Sequence, residues 1–237
     1  MHCWVDGQPA DTVPLKDRGL AYGDGLFETI AVKAGRPVLL DRHLQRLEEG
    51  CRRLALKVDH RLVRNEVLAY AAGLGEGVLK LILTRGDSLR GYGMNPDAAV
   101  RRIVQGSPPA SYPLAHGIDG IRLFSCATRL AEQPLLAGLK HLNRLEQVIA
   151  RAEWQDPEHA EGLMLDMSER VIEGVFSNLF IVSNGLLLTA DLKRCGVAGV
   201  MRAEILAQAE ALGIPVAVAD INVEQLRQAD EVFVCNS

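Results

Sequence analysis

Histidine, cysteine and aromatic side chains are all sparse in this sequence, and their placement excludes several chemistries. The six histidines (His2, His43, His60, His116, His141 and His159) include no pair one helical turn apart with a carboxylate at hand, so no metal site is expected. The five cysteines (Cys3, Cys51, Cys126, Cys195 and Cys235) are odd in number and scattered, without a C-x-x-C pair. They read as small buried side chains in a reducing compartment, and the expected location is the cytoplasm. There is no G-x-x-x-x-G-K-[ST] phosphate loop and no G-x-S-x-G nucleophile elbow. The strongest apolar run, "VLKLILT" (78–84), is strand-length and interrupted by Lys80, far short of a membrane span. The opening "MHCWVDGQPA" lacks the basic region and apolar stretch of a signal peptide. A formal net charge of -4 over 237 residues argues against a broad surface for nucleic acid.

What is present is an ordinary globular balance, 48% hydrophobic and 24% charged, long enough for one large domain or two small ones. "CWVDGQPADTVP" reads as a hairpin about an Asp-Gly turn, and "LFETIAVKAGRPVLL" repeats the pattern with a turn at Ala34-Gly35-Arg36. Periodicity predicts helices over 41–57, with Asp41 as N-cap, and over 60–72, then strands at 78–84 and 100–106. "AGLGEG" (72–77) follows a helix and precedes a strand, so its glycines serve a helix end and a turn rather than a dinucleotide.

"GSPPASYPLAHG" (106–117) has a linker's composition. Beyond it, strands at 119–125, 161–167, 178–183 and 185–190 alternate with helices at 141–154, 199–212 and 223–229, and "EVFVC" closes the chain. The expected architecture is α/β, two-lobed in an α+β sense. A smaller N-terminal domain covers 1–106, a linker 107–117, and a larger C-terminal domain 118–237.

Three features resist a purely structural reading. In "LLAGLKHLNRLEQVIARAE" (135–153), Lys140 leads a predicted amphipathic helix. Glu173 falls in an apolar, strand-like run, an awkward place for a carboxylate without a partner. "GVAGVMRAEIL" sets glycines just before a helix, where free backbone N–H groups could hold a phosphate. A lysine, an acid and a phosphate cradle together suggest pyridoxal 5'-phosphate, which needs all three.

These residues resemble the fold-type-IV pyridoxal-phosphate enzymes, the class-IV aminotransferase family. That group holds branched-chain and D-amino-acid transaminases and aminodeoxychorismate lyase. The signature is carried by Glu173, by Asn178-Leu179-Phe180, by Leu187-Leu188-Thr189 and by Val197 to Arg202. "DRGLAYGDGLFET" and "RHLQRL" extend the likeness over essentially the whole chain, with Val175 a departure where a small residue is usual. The resemblance implies a D-amino-acid-transaminase-like fold of two α/β domains. It makes Lys140 the cofactor-bearing catalytic lysine and Glu173 the partner of the ring nitrogen. Arg46, with the N–H groups of Val200 and Met201, would hold the phosphate, and Asn178 would belong to the same site.

"GLKHLNRLEQVIAR", "RGDSLRGYG" and Phe27, where related transaminases often carry tyrosine, are most similar to the lyase branch. That branch implies a small-molecule substrate, 4-amino-4-deoxychorismate, split into 4-aminobenzoate and pyruvate for folate synthesis. Arg90 and Tyr92 would hold substrate carboxylates, with Arg85 a weaker candidate at a strand end. A D- or branched-chain transaminase of the same fold is the alternative, and a non-catalytic binding protein a more distant one. The resemblance further implies a homodimer without nucleic-acid or membrane partners, and a few dozen residues beyond the strand matching "EVFVCNS".

Overall fold

The computed structural model describes residues 3–88, 91–95 and 97–237. It divides into two units, Met1–Ser111 with Lys140–Asn143, and Tyr112–Leu139 with Arg144–Ser237.

Among the described residues the first unit carries a six-stranded antiparallel sheet in the order β2-β1-β6-β5-β3-β4. Strands β1 (Trp4–Val5) and β2 (Gln8–Pro9) form a hairpin whose turn residues, Asp6 and Gly7, both have positive φ. That is the geometry an Asp-Gly pair favours between strands. The helix α1 (Arg18–Tyr22), in a stretch that reads by sequence as a glycine-rich turn, is capped by Asp17 and stopped by Gly23 in the left-handed region. β3 (Gly25–Lys33) then runs into β4 (Arg36–Pro37) through Ala34 and Gly35, both at positive φ.

Next come α2 (Leu40–Arg53) and α3 (His60–Leu74). Asp41 is not the N-cap of α2. Leu39 takes that position in a left-handed conformation, and Asp41 sits in the first turn, where it pairs with Arg64. β5 (Gly77–Thr84) pairs with β3 along its length, Phe27 opposite Ile82 and Thr29 opposite Lys80, and β6 (Arg101–Ser107) lies on its other side. Alternation gives this sheet two unlike faces. Ile30, Val32, Leu79, Leu81 and Leu83 are buried on one, whereas Phe27, Thr29, Lys80 and Ile82 point to the other.

The loop after β5 is tied down by the buried Arg18. Its guanidinium donates to Asp24 Oδ2 (2.8 Å), Ser88 Oγ (3.1 Å) and the carbonyls of Gly91 (3.0 Å), Tyr92 (3.3 Å) and Gly93 (3.3 Å).

The first helix of the second unit is the four-residue α4 (Ala115–Ile118), at the end of the stretch expected to be linker, followed by β7 (Arg122–Leu130). Then come α5 (Leu145–Ala152), β8 (His159–Asp166), β9 (Val171–Gly174), β10 (Asn178–Ser183) and β11 (Leu186–Ala190). α6 (Val200–Ala211), β12 (Val216–Ala219), α7 (Val223–Arg227) and β13 (Glu231–Cys235) complete it. Its seven-stranded sheet runs β12-β11-β10-β9-β8-β7, with β13 also on β10; the β7–β8 and β11–β12 pairs are parallel. Met164, Ile172, Trp154 and Leu130 pack one core cluster, and Leu179, Ile181, Val171 and Ile221 another. No described helix is long and apolar enough to cross a membrane.

One expectation is overturned. Lys140 does not lead a helix, because α5 starts only at Leu145. Residues 140–143 are irregular and are drawn onto the start of β3: Phe27 N–H donates to Lys140 C=O (2.9 Å) and Leu142 N–H to Gly25 C=O (3.0 Å). Those long-range bonds take up backbone groups that a helix would have bonded internally. On α5 the apolar residues Leu145, Val148 and Ile149 are exposed, and Ala150 is buried.

Gly25 makes this seat possible. A Cβ there would stand 2.1 Å from Leu83 O and 2.9 Å from Leu142 Cδ1. Gly25→Ala should therefore lower the free energy of unfolding by about 2–4 kcal/mol, read as a lower urea midpoint at unchanged m. An unchanged midpoint would show that the β3–β5 seam can open without cost.

Candidate active site

In the first unit the bond from Phe27 to Lys140 places the lysine amine 4.5 Å from the centroid of the Phe27 ring, a cation–π contact. Leu26 and His141 add an antiparallel bridge beside it. The next residue on β3, Glu28, faces the opposite way, into the side covered by α2. There it is 1% exposed and bound by two residues of that helix. Arg46 Nε donates to Glu28 Oε1 (2.8 Å), its terminal nitrogen bonds Oε2, and His43 Nδ1 lies 2.6 Å from Oε2. Burial by itself would raise the Glu28 carboxyl, but the His43 and Arg46 hydrogen bonds and charges outweigh it and hold the group below its ordinary value. His43 and Glu28 are sealed, while the Arg46 side chain keeps 12% exposure, so the arginine is the part of this cluster that a ligand can reach.

Arg85 is fully used elsewhere. It donates to both oxygens of Asp24 (2.8 and 3.0 Å) and to the carbonyls of Leu54 (2.7 Å) and Ala55 (3.1 Å). Tyr92 is highly exposed and leans on Tyr22, ring centroids 5.4 Å apart. Arg90 lies outside the described residues.

In the second unit Glu173 of β9 stands opposite Asn178 of β10 and is 3% exposed. Val197 N–H donates to Glu173 Oε2 (2.8 Å), and Asn178 Nδ2 donates to Val197 C=O (2.9 Å). The loop before α6 is thus held from both sides of one peptide residue. Gly199 is the N-cap of α6, and a Cβ there would fall 1.9 Å from Asn178 Oδ1. Only glycine lets the helix start against that amide. Among the described residues the N–H groups of Val200 and Met201 find no acceptor, as expected for a helix's first turn.

Gly138 bonds the same loop, taking Gly196 C=O (2.9 Å) and receiving Ala198 N–H (3.0 Å). Arg202 braces it by donating to Thr189 Oγ1 (3.2 Å) and Ala190 C=O (2.9 Å). Burial draws the Arg144 and Arg202 guanidinium groups below the usual arginine range, and the Glu173 charge opposes that in both.

Residues 25–237 match the family described as amino-transferase class IV. The chain belongs to that family. It is 40% identical over 236 residues to the aminodeoxychorismate lyase of Vibrio harveyi, covering 99% of this chain and 87% of that protein. A crystal structure of 4-amino-4-deoxychorismate lyase from Pseudomonas aeruginosa superposes with a TM-score of 0.98 at 64% identity, over 99% of this chain and 87% of that one. Similarity to a D-alanine aminotransferase of Listeria monocytogenes is lower, 27% over 246 residues, covering 95% of this chain and 79% of that protein.

Class IV proteins use pyridoxal phosphate, and each unit by itself carries groups that suit that cofactor. An amine lies on an aromatic face, a buried carboxylate is held by a backbone N–H, and a helix start is kept open by Gly199. Several residues that position these groups escaped the motif reading. Glu28 and His43 lock Arg46, and the three-residue spacing of His43 and Arg46 on one helix was the available signal. Glu161 is another: it accepts from Val175 N (3.0 Å), Gly162 N (2.8 Å) and Ser177 Oγ (2.6 Å), pinning the turn between Glu173 and Asn178. No sequence spacing announces that long-range bracket.

A carboxyl whose folded pKa is depressed contributes stability that is complete above its unfolded value, here 4.5, and is lost as pH falls through the lower folded one. Glu28→Gln should cost about 3–5 kcal/mol at neutral pH by stranding Arg46 and His43. Urea titrations should show the gap to the parent narrowing between about pH 5 and pH 3. A gap that stays constant over that range would mean Glu28 is not the linked group.

Proposed function

We propose that this chain is a 4-amino-4-deoxychorismate lyase, eliminating the enolpyruvyl group of its substrate as pyruvate and leaving 4-aminobenzoate. The observation that carries the reading is the near full-length likeness to two lyases at identities well above that to the aminotransferase. When bound, pyridoxal phosphate supplies an electron sink for the charge left when a proton leaves the amine-bearing ring carbon.

The chain's own residues do the rest. Lys140 would hold the cofactor through Nζ, and the same amine is the base that would take that ring proton. The carbon–oxygen bond to the enolpyruvyl group then breaks, the departing enolate collects a proton to become pyruvate, and the ring becomes aromatic. Atoms balance without water or an amino acceptor. Glu173, oriented by Val197 N–H, would face the pyridine nitrogen of the bound cofactor and favour its protonated form. Arg46 and the N–H groups of Val200 and Met201 are the groups that would hold the phosphate, and Asn178 keeps the loop before α6 in place. Phe27 gives the substrate ring a flat surface beside Lys140.

A homodimer is the assembly we favour. The exposed apolar side chains of Leu145, Val148 and Ile149 on α5 support it, because such a patch is costly in water. The cytoplasm is the favoured location, supported by five free cysteines, of which Cys51 and Cys195 have thiols that burial pushes up to about 12.

Incubation with aminodeoxychorismate should release pyruvate and 4-aminobenzoate in equal amounts with no 2-oxo acid added. Lys140→Ala should cut that release by about a thousandfold or more and lose the borohydride-trapped cofactor adduct, with the circular dichroism spectrum retained. Absence of pyruvate from the parent protein, alongside amino transfer to 2-oxoglutarate, would replace the lyase reading with the transaminase one.

A further inference from the structure

The turn 175–177 joins the strands that carry Glu173 and Asn178, and those two residues face each other across the ladder. Both reach one residue of the loop before α6: Val197 N–H donates to Glu173 Oε2, and Val197 C=O accepts from Asn178 Nδ2. A shift of this hairpin would move the acid and its loop together. A third side chain holds the hairpin. Glu161 of β8 is 1% exposed, and no step of the proposed reaction uses it.

Glu161 Oε1 accepts from Gly162 N–H (2.8 Å) and Val175 N–H (3.0 Å), and Oε2 accepts from the Ser177 hydroxyl (2.6 Å) and Phe176 N–H (3.4 Å). Three of those groups can only donate, so the carboxyl serves as an acceptor on both oxygens. Burial pushes it above the ordinary carboxylate value, and these hydrogen bonds oppose the rise. Among the described residues no cationic side chain pairs with it. Where packing is the only need, an apolar side chain fills such a space at lower cost than a carboxylate held by neutral donors. The placement supplies another need. A Cβ on Gly174, the residue after Glu173, would fall 2.8 Å from Glu161 Cδ, so the carboxyl lies against the backbone that leaves the acid. Apart from Gly162, every donor it gathers belongs to the turn.

We infer that Glu161 is a positioning residue: by closing the turn 175–177 it aims the Glu173 carboxylate at the ring nitrogen of the bound cofactor. The inference rests on the reading of Glu173 as the partner of that nitrogen. Glu161 acts through Glu173, on the direction of one charge-assisted hydrogen bond. Such bonds weaken steeply as their angle departs from linearity. Loosening the turn should therefore weaken the contact to the ring nitrogen and leave the rest of the cofactor's hold unchanged.

The test loads the parent, Glu161→Gln, Ser177→Ala and Glu173→Gln with pyridoxal phosphate isotopically labelled at the ring nitrogen, and reads that nitrogen by magnetic resonance. Dissociation constants are measured beside it for pyridoxal phosphate and for its carbocyclic analogue, in which C–H replaces the ring nitrogen. Glu161→Gln keeps the side chain's size but sets an amide N–H2 against donors on one side of the bracket. Its nitrogen resonance should move toward that of unprotonated pyridine. The preference for pyridoxal phosphate over the analogue should shrink by about tenfold, with affinity for the analogue itself unchanged. Ser177→Ala removes the 2.6 Å bond alone and should move both signals the same way by less. Glu173→Gln should abolish the preference.

A resonance and a preference that stay at parent values in both turn variants, while Glu173→Gln changes them, would overturn the assignment. So would an equal loss of affinity for both cofactors, since a merely structural defect weakens both alike. If Glu161→Gln does not fold, Ser177→Ala decides by the same signals. Failure of the Glu173 reading shows separately, as a parent-like resonance in Glu173→Gln, and removes the proposed target of Glu161 with it.

Discussion

A single backbone hydrogen bond, from Phe27 N–H to Lys140 C=O, organises the start of β3 in the first unit. It draws residues 140–143, a would-be helix, onto β3 as an irregular segment and lays the lysine amine over an aromatic ring. The strand's pleat then separates two tasks. Phe27 serves the open face, and Glu28, one residue on, turns inward to hold Arg46 and His43 of α2. A buried carboxylate is tolerated there only because two cationic or hydrogen-bonding partners meet it.

The second unit solves a related problem with backbone groups instead of cations. Glu173 is bound by Val197 N–H, and the same residue's carbonyl takes Asn178 Nδ2. The loop that satisfies the carboxylate is also the loop that launches α6. A side chain at Gly199 would collide with Asn178, so the orientation of the acid and the start of the helix are set together. Glu161 completes the frame by gathering N–H and hydroxyl donors of the intervening turn.

Arginine placement explains why composition is a poor guide to recognition here. Arg18 and Arg85 lie in motif-rich stretches and look like ligand-binding forks. Both are consumed by Asp24 and by loop carbonyls, whose orphan oxygens they satisfy. Their function is to fix the turn around 17–24 and to tie it to Ser88, to Gly91–Gly93 and to the end of α2. Lys80, which interrupts the apolar run of β5, is an exposed cation over the same Phe27 ring as Lys140.

Local chemistry determined a good part of this protein. The Asp6-Gly7 and Ala34-Gly35 turns follow from residues that accept positive φ, and "VLKLILT", "EVFVC" and the helix opening at Val200 follow from periodicity and a leading glycine. Glu173 in an apolar run was legible as an acid in need of a partner. What tertiary structure alone decided is where long-range partners intervene. The 140–143 segment, the parallel pairing of β12 on β11, the Glu28 lock on Arg46 and the exposed face of α5 all involve residues distant in sequence. Periodicity reports which side of an element is apolar. It carries no information about which distant carbonyl or carboxylate will claim a given donor, and that competition took Lys140 out of a helix.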